Sequence, residues 1–336
     1  MREIPTVPRS RIVLVAVLVL LLLVVVAVGR PFVQQQLTNR QPVPVAGRLL
    51  LPTDTGLVVY ELAARREAPL IPTPQGEIVS AAAWSPDGLQ VAYGLFHRRP
   101  GDPASVSEIY LAAADGSGQR PLAERDRPGA ILDAPVWSPD GQEVYFSYFG
   151  QVATKPVQRI ERVSVATGER ETVVEDGYAP AISPDGQSLL FLRDERAGTG
   201  LWLVPLAGGQ PTAVLPPGRY PSLAVPRFSP DGKRVTAAII NVSTAQVDGQ
   251  APFAWLLPPV VYAHGQPWDI WTFDLQGADM RRLTNVNADD PSPVWSPDGR
   301  YIAFWGGTGL YLVAADGSDL RQVLDKGGYG AIDWAR

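Results

Sequence analysis

Two hydrophobic patterns divide this chain. From Ile12 to Val28 the residues are unbroken Ile, Val, Leu and Ala, bounded by Arg11 and Arg30. From Arg48 onward, short apolar runs alternate with polar positions and are cut every few residues by Gly, Pro, Asp and Ser. A long unbroken run predicts a membrane-spanning helix, and period-two runs between turn residues predict short strands.

The strand pattern repeats. Its last full copy reads as a strand from Asp290 to Trp295, a turn at Ser296-Pro297-Asp298-Gly299 and a second strand from Arg300 to Trp305. A third strand from Leu310 to Ala314, a turn at Asp316-Gly317 and a fourth strand from Leu320 to Leu324 complete the unit. Trp84 to Gly88 and Trp137 to Gly141 repeat the Trp-Ser-Pro-Asp-Gly pentad, with Ile182 and Phe228 replacing the first residue in two further copies. Equivalent positions lie 53, 45, 46 and 67 residues apart. Units of four short strands at such a period predict the blades of an all-β propeller.

The recurring letters have local causes. Proline presets φ near about −65° at the first corner, Asp suits the second, and Gly takes the left-handed conformation that closes the hairpin. These Asp residues are therefore structural. The preceding aromatic is expected to fill space between neighbouring sheets. Tyr329 to Trp334 repeats the first strand 39 residues after Trp295, while Arg48–Pro52, Leu57–Leu62 and Ala68–Ile71 match the other three. We therefore expect a six-bladed ring in which the C-terminal strand completes the N-terminal blade and removes free sheet edges.

The pentads, with Leu310-Tyr-Leu-Val313, Asp316-Gly317 and Arg321-Gln-Val-Leu324, resemble the WD-repeat-like propeller of the TolB family. The stretch from Arg282 to Gly299 is especially similar, and the likeness spans residues 48–336. It implies the propeller fold; the same repeat also occurs in peptidase propellers and in many anchored bacterial proteins. TolB proteins carry an α/β domain ahead of the propeller, and here the apolar run and a tether occupy that place.

The chain is thus divided into a short tail (1–11), a signal anchor (12–29), a Pro- and Gln-rich linker (30–47) and the propeller (48–336). Seventeen helical residues span about 26 Å, close to the roughly 30 Å of a bilayer core. The central apolar side chains favour insertion by about 4 to 8 kcal/mol. A cleaved signal peptide, with Ala27-Val28-Gly29 ahead of the cut, is the competing reading. Arg2, Arg9 and Arg11 on one side nearly balance Arg30, Arg40 and Arg48 on the other. The short basic tail favours an uncleaved anchor with its N-terminus inside, which places the propeller on the extracytoplasmic side of the cell membrane.

Composition then narrows function. A net charge of −5 argues against nucleic acid as a partner, and zero Cys removes disulfides and thiolate metal sites. No nucleophile elbow, His-Glu-x-x-His pair or phosphate loop is present. Asn285, Asn287 and Asp289 alternate like the start of a calcium loop, but Asp290 stands where Gly is needed and Ser296 where Glu is needed. No cofactor or metal is expected.

Connections between the second and third strands are expected to vary: His97–Val106, Gly150–Val157, Asp194–Gly200 and Asn241–Pro267. Function on rigid scaffolds concentrates in such loops. The longest carries Trp255 and Tyr262 as candidate anchors, with His264 beside them, Trp268 at its exit and His97 on the same face. It reads either as a loop with its own small core or as a lid for a partner. Strand alternation places the residues one and three before each aromatic on the channel axis, where Arg227 and Asp333 are the only charges. They read as an ion pair across the pore, or Arg227 as a contact for an anion or peptide terminus. The expected function is a non-catalytic scaffold for an envelope protein or peptide; the alternative is a glycan lyase or hydrolase with its active site in the central funnel.

Overall fold

The computed structural model of the chain describes residues 43, 45–98, 105–153, 155–240, 268–286 and 288–335. The expected anchor at 12–29, most of the linker and the 241–267 insertion lie outside them. Among the described residues, no helix is long and apolar enough to cross a membrane.

The described residues fold as strands. First come β1 (Arg48–Thr53), β2 (Gly56–Glu61) and β3 (Arg66–Pro72). Next are β4 (Ile78–Trp84), β5 (Gln90–Arg98), β6 (Ser105–Ala113) and β7 (Arg120–Ala123). β8 (Ile131–Trp137), β9 (Glu143–Val152), β10 (Lys155–Ser164) and β11 (Arg170–Glu175) follow. Then come β12 (Tyr178–Ile182), β13 (Ser188–Glu195), β14 (Gly198–Pro205) and β15 (Thr212–Leu215). β16 (Leu223–Phe228), β17 (Arg234–Ile240), β18 (Trp268–Asp274) and β19 (Arg281–Arg282) make the next set. The last are β20 (Ser292–Trp295), β21 (Tyr301–Gly306), β22 (Gly309–Ala314), β23 (Arg321–Leu324) and β24 (Asp333–Ala335).

Within each set, consecutive strands pair antiparallel. The β4–β7 and β8–β11 meanders join into one sheet through a single parallel pair, Ser107 with Ile131. The chain's last strand pairs with its first: Arg48 opposes Ala335, Leu49 opposes Trp334 and Leu50 opposes Asp333. The C-terminal strand therefore completes the N-terminal sheet, in the expected register with the pentad.

The core lies between sheets. Leu49 and Leu51 of β1 pack with Val294, Ala303 and Trp305, whereas Leu50 packs the other way with Ala82, Trp84 and Tyr93. A strand buried on both faces has no polar side, which is why β1 reads Leu-Leu-Leu without alternation. Each such leucine contributes roughly 1.5–3 kcal/mol by burial. Tryptophans cross the seams as expected. Trp137 Nε1 donates to the Ala83 carbonyl at 3.1 Å, and Trp334 Nε1 to that of Ala46 at 3.4 Å. The compact unit begins at Val43: Val45 is buried in the same cluster as Trp334, and the Gly47 carbonyl accepts the Leu62 N–H.

Two connections differ from the sequence expectation. β9 and β10 run almost to the tip of their hairpin, with Val152 opposite Lys155, and β13 and β14 do the same with Glu195 opposite Gly198. What reads as variable loop in the sequence is paired strand, since Gln, Arg and Thr side chains on exposed strand ends look like loop composition.

Candidate functional site

The five Ser-Pro-Asp-Gly turns are near copies. Each serine Oγ donates to the Asp Oδ1 two residues on, at 2.5–2.7 Å. It accepts the N–H five residues on at 2.9–3.0 Å. The Asp Oδ1 also accepts the N–H two residues ahead at 3.0–3.1 Å. Each Gly closes the turn at φ between 69° and 71°. The serine bond is the main cause holding the carboxyls of Asp87, Asp140, Asp185 and Asp231 below the ordinary range. Burial works against the charge of Asp298, but Ser296 and Arg300 outweigh it and bring the group to about 2. These acids are fully engaged in turn geometry, which fits their structural reading.

The turns also nest. A Cβ on Gly141, Gly186, Gly232 or Gly299 would sit 3.6–3.7 Å from the proline of the preceding turn. At Gly88, which no earlier copy precedes in the sequence, the Arg48 guanidinium lies at 3.7 Å instead, 4.7 Å over the Trp84 ring. The turn side is therefore one interlocked surface.

A cavity of about 310 Å³ opens at the centre of this surface. Its wall is made by the residue before each aromatic: Ala83, Val136, Ala181, Arg227, Val294 and Asp333, one each from β4, β8, β12, β16, β20 and β24. Pro86, Pro184, Pro230 and Pro297 line its rim, and Trp84, Trp137, Trp295 and Trp334 share the wall. The expectation for these residues holds; that for the residues three before does not. Ala134, Ala179 and Val225 adopt φ of 54°, 53° and 47°, and the pairing register shifts there. Such bulges reset the alternation. The signal was present, since each precedes a proline (Pro135, Pro180, Pro226), and proline within a strand marks an edge or bulge.

Arg227 and Asp333 meet at the same cavity, as expected, but make no ion pair. Asp333 Oδ2 accepts the Trp84 N–H at 2.7 Å, and Arg227 donates to the Pro226 carbonyl at 3.2 Å. Burial pushes the Asp333 carboxyl up against the opposing pull of the Trp84 and Trp334 N–H groups and Arg227. Burial pushes the Arg227 guanidinium down, and Asp333 opposes it.

The other candidates lie elsewhere. His97 Nε2 lies 3.2 Å from the fully buried Glu108 carboxylate, edge-on to Tyr110, within the β5–β6 pair. Trp268 exchanges backbone hydrogen bonds with Ala288. Trp255, Tyr262 and His264 lie outside the described residues. Asn285 accepts from Arg282, and Asp289 accepts the Tyr329 hydroxyl at 2.9 Å. Asn287 is outside the described residues, and among those described no cluster of three metal-type ligands occurs.

Sequence reasoning missed two buried polar groups that only tertiary pairing reveals. Asp133 accepts the Ser80 hydroxyl at 2.6 Å beside Gly94, and burial drives its carboxyl upward despite that bond. Glu161 is held by Arg159 at 2.6 Å and by Arg170, with Arg159 stacked 3.7 Å over the Tyr148 ring.

With this geometry established, the chain is a TolB-like β-propeller in fold. No family model matches it. It superposes on TolB from Acinetobacter baumannii with a TM-score of 0.65 at 18% identity, covering 86% of this chain and 66% of that one. A chain of the nidogen/laminin complex gives a TM-score of 0.61 at 10% identity, covering 86% and 98%. In sequence, it is 28% identical to an uncharacterized protein of Agrobacterium fabrum over 220 residues, 61% of each chain. It is 30% identical to the uncharacterized peptidase YuxL of Bacillus subtilis over 173 residues, 48% of this chain and 22% of that one. A 36-residue match at 44% identity, 11% of this chain and 8% of the other, links it to the Tol-Pal system protein TolB of Nitratidesulfovibrio vulgaris. The chain thus spans about three-fifths of the first relative's length and about a fifth of the peptidase's.

Proposed function

We propose that this chain is a membrane-tethered, extracytoplasmic propeller of six blades that acts as a non-catalytic scaffold for an envelope protein or peptide. The tether is the apolar run 12–29, and the main partner surface is the side opposite the Ser-Pro-Asp-Gly turns. The observation that carries this reading is the asymmetry of the two sides. Five turns with matching bonds lie on one side, whereas on the other the strand ends Thr53 and Gly56, Glu195 and Gly198, and Ile240 and Trp268 are joined by stretches that share neither length nor composition in the sequence. Rigid scaffolds place recognition where repeats diverge. The likeness to TolB, a protein named for the Tol-Pal system, and to a chain of the nidogen/laminin complex supports binding of a protein partner.

The test is capture from envelope extract by the full-length chain in detergent, beside a variant in which 241–267 is replaced by a short Gly/Ser linker. The expected result is enrichment of a defined protein or peptide by the parent chain and its loss in the variant. Glycan cleavage by the pure chain, with nothing enriched, would overturn the scaffold reading.

A further inference from the structure

The funnel at the centre of the turn side holds a guanidinium with one acceptor. Arg227 has five N–H donors. One bond goes to the Pro226 carbonyl, and Asp333 acts on the guanidinium through its charge without a hydrogen bond to it. The side chain lines the cavity. Asp333 does not meet that demand, because it is turned to the Trp84 and Trp334 backbone N–H groups. A half-buried guanidinium facing a narrow funnel keeps donors that a bound anion's oxygens can take in place of water.

We propose that this funnel binds a monocarboxylate carried on a short apolar stem, with Arg227 gripping the carboxylate. A guanidinium fork matches a carboxylate's two oxygens, which a single-point cation does not. Ala83, Val136, Ala181 and Val294 leave room for the stem because they are small, and the volume lies at the low end of the roughly 300–1,000 Å³ of ligand pockets. Asp333, fixed on the same wall, disfavours a second negative charge, so dicarboxylates and phosphates are rejected. Two further clefts, of about 400 and 380 Å³, flank Pro230 and share lining residues with the funnel. They provide a path for the remainder of an extended peptide. The carboxylate therefore comes from a free acid or from a peptide C-terminus. This site is separate from the opposite-side partner surface and stands whether or not that surface binds.

Four tryptophans in the wall supply the readout. Intrinsic fluorescence of the full-length chain is titrated with phenylacetate, phenylacetamide, a leucine-ended tripeptide and the same tripeptide amidated at its C-terminus. Saturable quenching by the acids, with the amides at least about ten-fold weaker, is expected from the loss of a charge-assisted pair. Arg227→Gln removes the preference for acid over amide, and Arg227→Lys retains part of it. Asp333→Asn admits phenylphosphonate, which the parent chain excludes. A tripeptide binding about ten-fold tighter than phenylacetate identifies the peptide C-terminus as the source, and equal binding identifies a free acid. Equal binding of acid and amide by the parent chain, or no binding of either, overturns the proposal without reference to any variant's folding.

Discussion

On the turn side, the turns beginning at Ser183 and Ser229 lie 46 residues apart in the chain yet contain the same three hydrogen bonds, within 0.1 Å of each other. The connections between second and third strands instead differ in length, from Asp54-Thr55 between β1 and β2 to the 27 sequence positions that separate β17 from β18. The first side is constrained twice, by the φ demands of Pro and Gly within each turn and by the closeness of four of the five glycines to the preceding proline, where a Cβ would lie 3.6–3.7 Å from it. The second side carries no such nested contact among the described hairpin tips. Where one turn faces the next, a change in one bears on its neighbour; the described hairpin tips on the other side meet connections rather than one another, as Gly307 meets Asp289 and Gln151 meets Arg127. The turn side is uniform for mechanical reasons, and its irregular features are Arg48 beside Gly88 and the pair Arg227 and Asp333 in the funnel.

The largest expected effect attacks the turn-side seam. Trp137→Ala removes a buried ring and its bond to the Ala83 carbonyl, and should cost about 3–5 kcal/mol in chemical denaturation. A loss below about 1 kcal/mol would show that the seam is not held by these rings. Ser183→Ala leaves the Ser188 N–H without its acceptor in a buried setting and should cost about 1–3 kcal/mol. Gly186→Ala, at φ 70°, adds the left-handed penalty of about 1–2 kcal/mol. If the nested turns act as one surface, the Ser183→Ala and Gly232→Ala losses combine non-additively in a double-mutant cycle.

Acid should separate turn carboxylates from funnel carboxyls. The turn acids have folded values below their unfolded ones, so their stabilisation is present above the unfolded range near about 4 and disappears as pH falls through the folded values. For Asp298 that window runs down to about 2. Asp133 and Asp333 have raised folded values, so their contribution is present below about 4 and is lost as pH rises through those values. Denaturation midpoints followed from pH 2 to 7 should therefore lose part of their low-pH fall in Asp298→Asn, whereas Asp333→Asn should stabilise most at neutral pH. The smallest effect belongs to the free side. Ala153→Gly relieves φ of 57° at the β9–β10 tip and should change stability by less than about 1 kcal/mol, in the stabilising direction.

Much of this architecture follows from short-range rules. Proline at position 297 fixes one dihedral, Gly299 supplies the left-handed residue, and the Asp between them receives the backbone N–H of Arg300; none of this needs the rest of the chain. Repetition of that turn sets the phase of every strand, so the pairing of β24 with β1 was legible from Trp334 and the three orphan strands after Arg48. The apolar run at 12–28 is equally a local property.

Tertiary structure decided what depends on distant backbone. Alternation along β8, β12 and β16 fails at Ala134, Ala179 and Val225, because bulges in the pairing with β9, β13 and β17 shift the register there. Arg227 and Asp333 share a wall without pairing, because the N–H of Trp84, 249 positions away, claims the Asp333 carboxylate. The pentad sets where each strand turns, since that is fixed within five residues. Whether a charge in the funnel finds a partner is settled by strands hundreds of residues apart, and no local pattern records that distance.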